Sequence, residues 1–438
     1  MRIAGVLLLA ARLILAQGPL QLSMKRAVDI AIAPEGNAKI QLSDEALKQA
    51  RLRSLESRAA LLPDVEAAFS DQSRTANLAS MGINLNVPIP NFTFPTFVGP
   101  FSTMDARVSG SQSIFDFSSI RRYQASKVGI SAAKSDLDTA EEQVAAQTAR
   151  AYLAAVKADA DVESARANVA LSDALLTQAE RQKAAGTGTG IEITRAKVQL
   201  ASDRQRLVVA ENARHGAHLQ FLRAMGMRLD TEVELTDKLQ YAPVDAVTLE
   251  DAKAQALKQR PDFKAQQERE FNARLSASAT KMERLPSVAA FGDYGANGTG
   301  FNNSLPTRTV GIQVRVPLFD GGRRDARREE SESQYRAAKV QTNDLREQIE
   351  LDVRLALDSL KSAEDQVAVA KDGLELADSE LTQARRRYEA GVAINLEVTD
   401  ALTRLEQARD NQTAALYSYN VARLDLAQAV GRVRTLVQ

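Results

Sequence analysis

Glu397 and Asp400 stand three residues apart shortly after Gly391, so a helix beginning between Gly391 and Glu397 would carry both carboxylates on one side. Taken alone, the pair fits acidic residues complementing the dipole at a helix start. His215 and His218 have the same spacing, which is half of a zinc site, but only Glu211 lies within a turn of them. They read as residues on a helix surface. The run Gly186-Thr187-Gly188-Thr189-Gly190 has the glycine content of a phosphate cradle. Without a preceding strand or a following Lys-Ser/Thr pair it reads as a hairpin tip. Arg385-Arg386-Arg387 is a solvated basic face near the equivalent point of the second half. With no Cys and two His in 438 residues, the chain offers no thiolate and few acid–base or metal groups. Catalysis, a cofactor and a bound metal are therefore not expected.

The 56 basic and 56 acidic side chains cancel, which removes the bulk charge that would draw the chain to nucleic acid. Twelve Pro and 22 Gly are few for this length, and aromatic residues make up 5% against 44% hydrophobic. That balance favours long Ala-rich helices. At the N-terminus, Arg2 precedes an apolar run through Ala16, predicting an export signal over residues 1–16. No other apolar stretch is long enough to cross a bilayer as a helix, so any membrane insertion must come from β-structure.

The two halves repeat one another at a shift of 205 residues. Ala151, Ala158 and Ala165 fall on Ala356, Ala363 and Ala370; Gly186 falls on Gly391, and Gly226 on Gly431. Each half has the order helix, Pro, hairpin-like segment, very long helix, Gly turn, helix. Two copies of one large unit suggest a pseudo-symmetric wall or ring. The first repeat spans 17–226, with a β-hairpin at 64–115 and helices at 118–186 and 191–228. A connection follows at 227–247. The second repeat spans 248–438, with a hairpin at 287–319 and helices at 323–391 and 394–432.

The long helices must position these residues, and their seams are explicit. Val353, Leu360, Val367, Leu374, Leu381 and Tyr388 recur every seven residues, accompanied by Ala356, Ala363, Ala370, Ala377 and Ala384. A large residue at one core position and Ala at the other lets helix axes approach closely and supercoil left-handedly. Each long helix would run roughly 100 Å. A rod of that length needs partners along its whole stripe, which the shorter helices on either side provide.

Val310, Ile312, Val314 and Val316 alternate with Gly311, Gln313 and Arg315, the pattern of a half-apolar strand. Two hairpins supply four strands, too few to close a barrel. Open edges are not tolerated in lipid, so several chains would have to share one barrel, eight strands for a dimer or twelve for a trimer. The first-half loop Leu78–Met104, with four Pro and four Phe, would cap such a barrel at the cell surface or join its aromatic girdle.

Val314-Arg315-Val316-Pro317-Leu318-Phe319-Asp320-Gly321-Gly322 at the strand-to-helix junction resembles the outer-membrane efflux and secretion channels typified by TolC. So do Tyr388-Glu389-Ala390-Gly391, Leu396-Glu397-Val398 and Asp400-Ala401-Leu402, and Leu22-Ser23-Met24 resembles the family's opening helix. The resemblance implies a mostly α fold with a transmembrane β part: a homotrimer sharing a 12-stranded β-barrel in outer-membrane lipid. It also implies a long antiparallel α-helical barrel in the periplasm and a mixed α/β belt around the chain termini and the Gly226–Val247 connection. Glu397 and Asp400 would line the narrow periplasmic entrance, six carboxylates around one opening. Gly186, Gly190 and Gly391 would mark hairpin tips that meet a periplasmic adaptor, itself coupled to an inner-membrane pump. The implied function is a passive exit duct of an efflux or type I secretion system. The alternative is a periplasmic coiled-coil adaptor of the membrane-fusion type, which the duplicated order disfavours.

Overall fold

The computed structural model describes residues 20–83, 90, 95–244 and 247–437. The expected export signal at 1–16, much of the Pro- and Phe-rich loop and two residues of the connection lie outside them. In chain order the elements are β1 Leu20–Leu22, α1 Met24–Ile32, α2 Ala38–Ala59, β2 Asp64–Asn77, β3 Phe97–Phe115, α3 Phe117–Ala184 and α4 Gly190–Met225. Then come β4 Val233–Leu235, α5 Leu249–Gln259, α6 Pro261–Met282, β5 Ser287–Gly298, β6 Leu305–Arg315, α7 Arg323–Glu389, α8 Asn395–Val430 and α9 Val433–Val437. The chain forms two compact units.

One unit, residues 47–132 and 266–342, contains a four-stranded antiparallel sheet of order β2-β3-β5-β6. The two hairpins, one from each repeat, join through β3 and β5. β3 begins at Phe97 and β6 at Leu305, so the strands reach further toward their loops than the sequence pattern indicates. Period-two alternation and the register together make the sheet two-faced. One cross-strand row reads Val65, Gly110, Gly292, Val310; the next row, on the other face, reads Glu66, Ser109, Asp293, Thr309. Phe69, Val108, Tyr294, Ile312 and Val314 share the apolar face, and all are exposed. Gln72, Asp105, Arg107, Thr307 and Gln313 share the polar one. On it Arg107 donates to Asp105 at 3.1 Å and to Asp293 at 2.5 Å, an ion cluster across the seam between the two repeats. β2 and β6 each keep one unpaired edge within the chain.

Pro63 and Pro286 separate helices from strands, as a residue without an N–H should. The helix segments of this unit are joined by polar contacts. Asn272 Nδ2 donates to the Ala125 carbonyl at 2.6 Å, and Glu283 takes both Arg122 and Arg327.

The other unit, residues 1–46, 133–265 and 343–438, is helical among its described residues apart from a small parallel sheet of β1 and β4. Nothing in the sequence pattern marks those three-residue strands. They are held by Leu22, which is fully buried beside Tyr152, Phe221 and Met225. The Tyr152 phenol donates to the Leu22 carbonyl at 3.1 Å and accepts from the Asp237 amide at 3.2 Å, so one ring ties the chain start to the connection. Gly226 ends α4 at φ +76°, where an added Cβ would lie 2.2 Å from the Gly36 carbonyl oxygen, so only glycine fits. Along α7 the seam is the buried stripe: Val353, Ala356, Ala363, Ala377, Leu381, Ala384 and Tyr388 are all buried. α8 answers with Val398, Ala401, Leu405, Ala415, Tyr419, Ala422, Leu426 and Ala429. Among the described residues no helix is long and apolar enough to cross a membrane.

Candidate functional site at the hairpin tips

The glycines, the Glu397/Asp400 pair and the arginine run singled out in sequence collect in the helical unit where α3 turns into α4 and α7 into α8, whereas His215 and His218 lie near the far end of α4. Both long helices end the same way. Gly186 and Gly391 take φ of +74° and +73°, and the residue after each donates its amide back to the last turn, Thr187 to Gln182 and Val392 to Arg387. This closes the orphan carbonyls of the last turn with a glycine in the left-handed region. Gly190, by contrast, is the first residue of α4 with an ordinary backbone.

Beyond the glycine the tips differ. Thr189 caps α4 with its side chain, while the Glu192 carboxylate accepts the Thr189 amide at 2.8 Å, a reciprocal capping box. Ile394 occupies the same place before α8 and has no capping side chain. Glu397, the counterpart of Glu192, instead accepts from Arg387 Nε at 2.8 Å. Asp400 is exposed one turn further on. The structure thus puts both carboxylates at the accessible start of α8, with one of them engaged by the basic run. Arg386 is exposed, and Arg385 is half-buried with its Nε unpartnered among the described residues.

Beneath these charges lies an apolar cluster of Leu381, Ala384 and Tyr388 from α7 with Val398, Ala401, Leu402 and Leu405 from α8, against Leu171 and Leu175 of α3. The Tyr388 phenol donates to Gln182 Oε1 and accepts from Asn395 Nδ2 at 3.4 Å. A tyrosine of the second repeat therefore latches onto the end of the first repeat's long helix.

Further along α8 is a group that the sequence reading missed. Glu406 is 2% exposed and Asp203 of α4 is 1% exposed. Arg206 Nη1 donates to Glu406 Oε2 at 2.6 Å and lies 3.9 Å from Asp203. Asp203 also accepts from Gln199 at 3.1 Å and from the Ser172 hydroxyl of α3. Glu406 Oε1 is buried without a partner among the described residues. Burial and the Asp203 charge push the Glu406 carboxyl above the usual range, against the pull of Arg206. The available signal was Glu406 completing an i, i+4 stripe with Leu402, a carboxylate where the pattern wants an apolar residue.

His215 is exposed on α4, while His218 is half-buried. His218 Nε2 lies 3.0 Å from Asp159, which also accepts from Arg214 at 2.5 Å. Burial alone would raise the Asp159 carboxyl, yet its hydrogen bonds to His218 and Arg214 hold it below the usual range. Among the described residues no group of three or more His, Asp or Glu could hold a metal ion.

Two-faced strands joined to paired heptad rods, the whole written twice, define a channel subunit. The outer membrane efflux protein family matches residues 33–227 and 253–432, most of both repeats, and the chain belongs to that family. It is 23% identical over 416 residues to the pyoverdine export outer membrane protein OpmQ of Pseudomonas putida, covering 92% of this chain and 84% of that one. It is 24% identical over 399 residues to the outer membrane protein TolC of Vibrio cholerae, covering 86% and 83%. Its fold matches the Campylobacter jejuni CmeC outer membrane channel with a TM-score of 0.80 at 17% identity, over 93% of this chain and 85% of that one. The protein is accordingly a non-catalytic, passive export duct of the outer membrane that extends into the periplasm. The adaptor alternative falls with the family match.

Proposed function

We propose that three copies of the chain pair the free edge of β2 with the free edge of β6 of a neighbour, closing a twelve-stranded barrel in outer-membrane lipid. The observation that carries this is the sheet itself. An apolar face exposed from Val65 to Val314, a polar face opposite, and two unpaired edges form a stable object in lipid only when closed. Leu355, Val369 and Leu376 of α7 lie outside the buried stripe at multiples of seven residues and are exposed, giving the helical unit a second seam for a neighbour.

In this assembly the α8 starts line the periplasmic entrance. Glu397 and Asp400 of three chains present six carboxylates that attract cations. The turns at Gly186–Gly190 and Gly391 meet a periplasmic adaptor, and an inner-membrane pump supplies the energy. The exposed Val392, Ile394 and Leu396 provide the apolar part of that contact.

Membrane fractionation tests the assembly: a heat-resistant trimer in the outer membrane is expected, and a soluble monomer would refute it. The entrance is tested by single-channel recording of the Glu397→Gln/Asp400→Asn double variant. Its cation preference should fall; unchanged selectivity would remove both residues from the entrance.

A further inference from the structure

Glu406 and Asp203 sit where α8 of the second repeat meets α4 of the first and α3 behind it, all within the helical unit. Two buried carboxylates share one guanidinium, so the ionised cluster holds one uncompensated negative charge, and the unpartnered Glu406 oxygen marks where it is worst solvated. An unpaired buried charge is costly, and a proton on the pair removes it. A cavity of about 430 Å³ lined by Lys157, Asp161, Asn168, Asp203, Arg206 and Asp410 opens beside the cluster, giving water and protons a route to it.

We propose that Glu406 is a proton-operated clasp between the two repeats. Protonated, it lets α8 pack on α4; ionised, it loosens that contact and with it the helix that carries Glu397 and Asp400. Glu406 lies nine residues along α8 from Glu397, about 14 Å at helical rise, so the two ends of this segment move as one rod. The role in passage rests on the entrance reading of the α8 start; the clasp itself does not.

Charged groups face the cluster from several sides. From α4 come Asp203 and Arg206; from α8 itself come Asp410 and Arg409, the latter donating to Asn168 of α3 at 3.3 Å. α3 presents Lys157 and Asp161 across the cavity, and its Asp173 lies 3.8 Å from Arg204. α7 offers the apolar Ala377 and Leu381, while its Glu380 is taken by Arg404. Among the described residues Arg206 is thus the cation bonded to Glu406, and Asp203 and Asp410 oppose its ionisation. A carboxyl raised in the packed state favours packing below the ordinary glutamate range, and that contribution is lost as pH rises through the raised value.

The absence of Cys permits a direct test. Spin labels at Lys197→Cys on α4 and Thr403→Cys on α8, in full-length labelled chains diluted into unlabelled ones in nanodiscs, report the α4–α8 distance. The distribution should be narrow in acid and broaden as pH rises through the raised Glu406 value. Glu406→Gln should keep it narrow at both. In Asp203→Asn the neighbouring negative charge is gone and Glu406 ionises more easily, so the transition should move to lower pH. The remaining Glu406–Arg206 pair is then neutral, and the broadening should also be smaller. A Glu406→Gln chain that keeps the wild-type pH profile would overturn the clasp, as would a wild-type distance that ignores pH. In planar bilayers the closed dwell times should lengthen in acid for wild type and lose that dependence in Glu406→Gln. Distances that switch while conductance does not would leave the clasp standing and refute the entrance reading instead.

Discussion

The two hairpin tips begin from matching residues and end as different objects. Both turn on a left-handed glycine, and both place a glutamate three residues into the following helix. At the first tip Thr189 caps the helix, so Glu192 closes the capping box and its charge is spent on a backbone amide. At the second tip Ile394 caps nothing, so Glu397 is free to reach Arg387 and to face the surroundings beside Asp400. A single change of N-cap residue moves a carboxylate from a structural task to an available one. The interiors diverge in parallel: Tyr388 and Leu402 are buried where the first repeat has the exposed Lys183 and Lys197.

Leu402 is the strongest lever on that contrast. It is fully buried in the α7–α8 cluster, and truncation to Ala should cost about 2–5 kcal/mol of local stability. Lys197→Ala, at the matching position of the first repeat, should stay within about 0.5 kcal/mol. Hydrogen exchange over the starts of α8 and α4 measures both. Equal losses would mean that the two tips are held alike after all.

Much of this was legible in the sequence, for identifiable reasons. The seam from Val353 to Tyr388 shows because burial along a rod recurs every seven residues, and the strand Leu305–Arg315 shows because its faces alternate. The three-residue strands β1 and β4 carry no local pattern, and only the family resemblance pointed to a mixed α/β belt there, because their pairing depends on Leu22 and Tyr152 meeting across 130 residues. The Glu397–Arg387 pair was hidden for a related reason: the spacing places the carboxylate, but which partner takes it depends on whether residue 394 can cap. Glu406 was passed over because one carboxylate in a long charged helix looks solvated until α4 is laid against it.

Exchanging the caps tests that account directly. Thr189→Ala should weaken the start of α4 by about 0.5–2 kcal/mol. Ile394→Thr should do the opposite for α8. Ile394 is exposed, so nothing is lost from the core, and a threonine in its place completes the Ser/Thr-x-x-Glu box with Glu397. A gain of about 1 kcal/mol, or roughly fivefold slower exchange in the first turn of α8, is expected. Arg387 should lose its partner in the same variant. An α8 start that exchanges as fast as before would show that the cap does not decide where Glu397 goes.

The smallest effect separates the two glutamates by their dependence on salt. Glu192→Gln should be nearly silent at any ionic strength, because a glutamine at the third helical position still accepts the Thr189 amide. Glu397→Gln removes a charge from a pair whose side chains are 42% and 58% exposed, so the loss should not exceed about 1 kcal/mol even in dilute buffer. At about 1 M salt, where screening acts within about 3 Å, that loss should vanish. Exchange rates at the two helix starts, measured at low and high salt, give the comparison. A salt-dependent loss at Glu192 would mean that its carboxylate is held by charge rather than by the capping geometry, and the distinction between the tips would then rest on packing alone.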